Sequence, residues 1–168
     1  MRLLRISAVL CALVIGLAAL PGEAHAFEWE GKLRVTVSKL GHSKLKIRLA
    51  ALRELGQFPM DKVQRHLLRA TQDLDNDTYR VTAARMLVEH RVKAVVPVLV
   101  EWLSDFELAV RVEAARLLGE MGSSGAVGPL LRTFGDFEHK VRMAAVLALG
   151  KIGSRKAITG ILGRLNDP

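Results

Sequence analysis

The sequence predicts an all-α fold, an α-α superhelix of about four stacked two-helix repeats. Three observations carry this reading. The block from Val110 to Ser123 recurs 31 residues later as Val141 to Ser154, with earlier copies opening at Tyr79 and Ile47, so the spacings run 32, 31 and 31. Self-similarity at such a period marks stacked supersecondary units. Within a copy, Val110, Ala114, Leu118 and Met121 fall at i, i+4, i+8 and i+11, one stripe of a helix. Finally, Gly122 and Gly153 follow the last apolar residue of a first helix, and Pro97 and Pro129 stand in the first turn of a second. A glycine suits the left-handed residue that closes a helix, and a proline suits a first turn whose N–H has no partner.

The elements follow in chain order. Residues 1–26 read as a cleaved secretory signal: Arg2 and Arg5, an apolar run from Ile6 to Leu20, the break at Pro21-Gly22, then Ala24-His25-Ala26. The run is 15 residues, short of the roughly 20 needed to span a bilayer. Cys11 lies inside this run, so the mature chain has no cysteine and must hold together by packing alone. Half the chain is hydrophobic and only 5% is aromatic. That excludes a disordered chain and suits closely packed helices with an Ala, Leu and Val core. Residues 27–42 occupy the slot of a second helix and read as an N-terminal capping half-repeat; the alternation of Leu33, Val35 and Val37 also permits a short strand. Repeats then follow at about 43–74, 75–104, 105–135 and 136–168. Second helices are expected near 95–104, 126–135 and 157–166. One such hairpin cannot bury its own apolar faces, so neighbours must stack.

The pattern Asp-x-x-x-x-Val-Arg-x-x-Ala-Ala-x-x-Leu-Gly, carried by Asp105 to Gly119 and by Asp136 to Gly150, closely resembles HEAT repeats of the kind named after phycobilisome lyases. The resemblance covers roughly residues 43–168 and implies an armadillo-like solenoid. Repeat 2 departs from it: Asp73, Asp75 and Asp77 sit one residue out of register, and Val88 stands where the glycine is expected. Repeat 1 has His42 at the spacing of the aspartate. The repeated Arg48, Arg80, Arg111 and Arg142, with Asp105 and Asp136, form a ladder that in similar repeats is structural. A planar five-donor guanidinium can serve several acceptors of adjacent repeats at once.

Sites of chemistry are sparse. His42, His66, His90 and His139 share no i, i+3 or i+4 spacing, so no metal site is expected. Some HEAT-like enzymes hold iron with His-Glu dipeptides; this chain has only the reversed Glu89-His90 and Glu138-His139. No nucleophile elbow, zinc-protease motif or phosphate loop is present. No cofactor is expected, and the chain reads as a protein that is not an enzyme. The namesake family implies one lesser alternative, an accessory to a bilin-lyase-like enzyme.

The formal net charge is +8, and residues 31–48 hold Lys32, Arg34, Lys39, Lys44, Lys46 and Arg48 without an acidic residue. The first five form a candidate patch for an anionic lipid or polymer. No aromatic residue is interleaved there, so no nucleic acid is expected as a partner. Trp29, Trp102 and Phe106 read first as inter-repeat packing. Asp167 lies 31 residues after Asp136, where a fifth repeat would open. The last helix would then expose Ile158, Ile161, Leu162 and Leu165, a candidate edge for self-association or a partner. The expected function is that of an exported scaffold, periplasmic or secreted after cleavage near Ala26 and Phe27. It would bind a protein partner on the concave surface lined by the second helices.

Overall fold

The computed structural model describes residues 21–153 together with 155, 158 and 159, with side chains from Trp29 onwards. The regular elements among them are helices. Helix α1 (Pro21–Lys39) precedes four first helices, α2 (Leu45–Leu55), α4 (Asp77–Glu89), α6 (Leu108–Met121) and α8 (His139–Ile152). Between them lie the second helices α3 (Met60–Ala70), α5 (Val96–Trp102) and α7 (Val127–Arg132). The last two are entered through single 3-10 turns at Lys93–Val95 and Ser124–Ala126. Residues 1–20 of the expected signal, most of the expected last helix, and Ile161, Leu162, Leu165 and Asp167 lie outside the described residues.

Consecutive first helices pack on one another, and each second helix packs on the first helix that follows it. The result is a two-layered solenoid with one continuous core. Leu52, Leu87, Leu118 and Leu149, one from each first helix, are all at most 1% exposed and lie at repeat spacing. Val63, Leu67, Leu99 and Leu130 close this core from the second helices. Burying leucines of this size contributes about 2 kcal/mol each, so the stack stands without a covalent staple.

The first segment is helical, and its burial pattern shows why. In a strand, Leu33, Val35 and Val37 would share a face. Here Leu33 and Val37 pack on the core and Thr36 is buried, while Val35 is 55% exposed. That is the stripe of a helix, with Trp29 and Leu40 extending it.

Each first helix ends as its glycine dictates. Gly122 and Gly153 take φ of 64° and 63°, the left-handed closure that costs a glycine nothing. The same place in repeat 2 is filled by Arg91 at φ 56°, whose Nη1 donates to the Glu120 carbonyl of the next repeat. The glycine three residues earlier has a different task. A Cβ on Gly119 would lie 2.7 Å from Ala148 Cα, so α6 and α8 approach closely only because that atom is missing.

A charge network also crosses the first helices. Glu113 on α6 accepts from Arg85 Nε of α4 at 2.6 Å and from Arg116 Nη2 at 2.6 Å. Arg116 continues to Glu120, which faces Lys151 of α8 at 3.9 Å. Burial pushes the Glu113 carboxyl up, but the hydrogen bonds and charges of the two arginines outweigh it and lower the pKa from 4.5 to about 2. A depressed carboxylate stabilises above its unfolded pKa and loses that stabilisation as pH falls through the folded one. Urea midpoints should therefore decline between pH 4.5 and 2. Glu113→Gln should remove part of that decline; an identical acid limb in the variant would dissociate Glu113 from it.

Candidate functional site

The ladder of arginines runs along the edge where each second helix hands over to the next first helix. Each guanidinium lies one turn into a first helix and reaches the aspartate 25 residues on. Arg48 Nη1 donates to Asp73 Oδ2 at 2.5 Å, Arg80 Nη1 to Asp105 Oδ2 at 2.6 Å, and Arg111 Nε to Asp136 Oδ2 at 3.0 Å. Arg80 also holds Asp77 through Nε and Nη2, at 2.9 and 2.6 Å. Arg80 and Arg111 are only 5% and 6% exposed. Their guanidinium carbons lie 5.2 Å from the ring centroids of Trp102 and Phe137, and that of Arg48 lies 4.8 Å from the ring of Tyr79. Trp102 is itself buried, so this indole is part of the ladder's packing.

The aspartates have a second contact that shapes the turn. Asp105 Oδ1 accepts from the Glu107 N–H at 2.9 Å, and Asp136 Oδ1 from the Glu138 N–H at 2.8 Å. Arg111 Nη1 then donates to the carbonyls of Asp105 and Phe106, and Arg142 Nη1 to those of Asp136 and Phe137. In repeat 2 this position belongs to Asp73, whose Oδ1 accepts from the N–H groups of Asp75 and Asn76. The shifted register is absorbed by one extra residue before α4, where Asn76 caps the helix by accepting from the Tyr79 N–H at 2.9 Å. In repeat 1, His42 Nδ1 accepts from the Lys44 N–H at 3.0 Å, so an imidazole takes over the turn contact of the aspartate.

Two grooves open on this edge. One, of about 580 Å³, lies between the end of α1, α3 and the start of α4, with Leu40, His66, Arg69, Asp73 and Tyr79 in its wall. Burial, then the charges of Arg65 and Arg69, hold His66 below the usual imidazole range, so it is neutral at neutral pH. The other, of about 370 Å³, lies between α5 and α7, with Leu103, Arg111, Pro129, Arg132 and Phe137 in its wall. Among the described residues no three His, Cys, Asp or Glu side chains are grouped to hold a metal. None of their helices is long and apolar enough to cross a membrane.

The five basic residues of the N-terminal stretch are exposed, but they do not share one face. Lys32 and Lys39 are seven residues apart on one stripe of α1, whereas Arg34 is rotated about 160° from Lys32 by the helical period. Lys39 faces Glu54 at 3.6 Å. Lys44 and Lys46 belong to the start of α2. Of the proposed C-terminal edge only Ile158 is described, and it is 56% exposed.

A row that the sequence reading did not single out lies directly on the ladder. The residue after each ladder aspartate is large, apolar and exposed: Leu74 84%, Phe106 94% and Phe137 82%. The signal in the sequence was an apolar residue recurring on a turn at the repeat spacing.

Residues 96–168 match the family model for HEAT repeats. No curated protein sequence matches the chain. Among solved structures, the fold is similar to the complex of CpcE and CpcF of phycocyanin lyase from Nostoc sp. PCC7120, with a TM-score of 0.64 and 24% identity over 81% of this chain. This chain spans 59% of the lyase chain's length. It is also similar to an engineered protein, with a TM-score of 0.56 and 22% identity, over 79% of this chain and 67% of that one. The likeness to the lyase corrects one expectation, that the chain is not an enzyme. That exclusion rested on missing catalytic motifs, yet the same solenoid is built into a lyase, so missing motifs do not separate this fold from enzyme assemblies. The family match, the return of the same arginine–aspartate pair back to Arg48, and the two-layered stack make the chain a HEAT-repeat protein.

Proposed function

We propose that the chain is a protein-binding scaffold that serves as an accessory to an enzyme. The observation that carries this is the solenoid itself: a stack held in register by a buried ladder, similar in fold to a lyase complex. Such a stack offers a long, rigid surface on which many side chains act together, and rigidity lowers the entropic cost of binding. The face of the second helices is the partner surface in this reading. Its exposed Gln64, Arg65 and Glu101 contribute contacts on a frame that the core holds still. The chain acts after export, beginning at Phe27, as the apolar segment and Ala24-His25-Ala26 suggest.

Crosslinking in the producing cells, with mass determination of the captured chain and its partner, tests both parts. The expected result is a chain starting at Phe27, joined to an enzyme whose turnover falls when the scaffold is deleted. A chain still carrying Met1 removes the export reading. Turnover of every captured enzyme unchanged by the deletion removes the accessory reading.

A further inference from the structure

Exposed aromatic residues on a repeat protein are ordinary when scattered. Three large apolar side chains at the same turn of three successive repeats are not. Leu74, Phe106 and Phe137 are spaced 32 and 31 residues apart, as the ladder residues are, and each is more than four-fifths exposed. They do not sit on loose loops. The aspartate before Phe106 is fixed by Arg80, the turn is closed by the Glu107 N–H, and the Phe106 carbonyl accepts from Arg111 at 3.0 Å. The Phe137 turn is held the same way by Arg111, the Glu138 N–H and Arg142. A rigid exposed aromatic binds with little loss of side-chain entropy, which is how interface anchors work.

The charge beside each anchor says what it meets. Every one is followed by a carboxylate that forms no ion pair among the described residues: Asp75, Glu107 and Glu138. Lys140 and Arg132 lie towards the last repeat, so the acidic excess is concentrated around Leu74 and Phe106. On a chain of net charge +8 this is an acidic strip. The groove beside Phe137 adds Leu103 and Pro129 as apolar wall.

We propose that this edge is a docking ridge for a basic polypeptide segment of a partner protein. Apolar side chains of that segment meet Leu74, Phe106 and Phe137, and its lysines or arginines meet Asp75, Glu107 and Glu138. Packed first helices lie about 8–10 Å apart, which sets the pitch of the ridge. A polyproline II segment repeats its face every third residue, about 9 Å, and an α-helix returns to it after seven residues, about 10.5 Å. Both fit the pitch, whereas a β-strand, with same-face residues about 6.6 or 13 Å apart, does not. The proposal rests on the scaffold reading and moves the contact from the second-helix face to the ladder edge.

Fluorescence anisotropy with labelled peptides tests it on the full chain. The probes are fifteen-residue repeats of Leu-Pro-Lys, a lysine-rich helical peptide with leucine at every seventh position, and the glutamate counterpart of each. The expected result is binding of a lysine peptide, weakened by salt, with its glutamate counterpart bound about tenfold less tightly or not at all. The pair Leu74→Ser and Phe106→Ser should weaken binding about tenfold or more while melting stays unchanged, because both side chains are exposed. Asp75→Lys with Glu107→Lys should reverse the preference towards the glutamate peptide. Equal binding of both charge types, undiminished affinity in the serine pair, or no binding of either lysine peptide at about 1 mM overturns the ridge. A crosslinked partner kept by the serine pair but lost with Gln64→Arg and Glu101→Arg leaves the scaffold reading standing without the ridge.

Discussion

Replacing Arg80 with alanine is expected to cost about 3–5 kcal/mol at neutral pH, the range for removing one partner of a buried ion pair. Arg80 is 5% exposed, donates to Asp77 and Asp105, and stacks on Trp102. Its loss leaves the Asp105 carboxylate, 13% exposed, without its main counter-charge. Arg80→Lys should recover less than half of the loss, since an ammonium cannot fork across two carboxylates. Arg142→Ala should cost about 1–2 kcal/mol, as the bonds described for it run to the carbonyls of Asp136 and Phe137 on its own turn. The effect of Arg80→Ala should also shrink in acid. Burial pushes Asp105 up, but the hydrogen bonds from Arg80 and the Glu107 N–H, with the charges of Arg80 and Arg111, bring it below its ordinary value. Its folded pKa is therefore depressed, so its contribution is present above the unfolded value and lost as pH falls through the folded one. In the variant the opposing burial remains, the carboxyl protonates more readily, and less is left to lose. Urea titrations at pH 7 and pH 3 measure both quantities. A variant with wild-type stability at pH 7 would leave the ladder without a structural role at this rung.

The repeat was legible because its signals are local and periodic. Helix faces follow from apolar residues at 3.6 spacing, and Gly122 and Gly153 announce their left-handed turns. The Arg80–Asp105 and Arg111–Asp136 pairs could be anticipated from the matching recurrence of both residue types. What the sequence concealed lies where different residues do one job. Asp73 looked displaced when aligned backwards from Asp105 by 31, yet Arg48 and Arg80 are also 32 apart, so the ladder is in register and the extra residue is taken up before α4. His42 makes the turn contact of an aspartate, and Arg91 occupies a glycine's left-handed position. Exposure was the other gap. Phe106 and Phe137 read as packing residues by type, but a turn has no face whose periodicity would show that they point outwards. The basic stretch failed to form one surface for the converse reason: adjacency in sequence is separation by 100° per residue once α1 is a helix.

Gly119 and Gly150 occupy the same place in successive repeats, and alanine is expected to act on them with opposite sign. An added Cβ at Gly119 would meet Ala148 Cα at 2.7 Å and Ala148 Cβ at 2.9 Å. The first of these is backbone and cannot rotate away, so α6 and α8 must move apart along the closest contact of the stack. Overpacking of this kind costs about 1–3 kcal/mol, more than the helix propensity gained, which is about 0.5–1 kcal/mol for alanine over glycine. At Gly150 nothing lies within 4 Å of the added carbon, and only the propensity gain is left. Gly119→Ala should lower the melting temperature by several degrees and Gly150→Ala should raise it by roughly 2 °C, taking about 2–4 °C per kcal/mol for a chain of this size. The contrast separates two explanations of one motif glycine. If it serves only to end or loosen the helix, both exchanges shift melting in the same direction. If it serves to let the next repeat approach, the sign follows whether another helix stands against it, as Ala148 stands against Gly119.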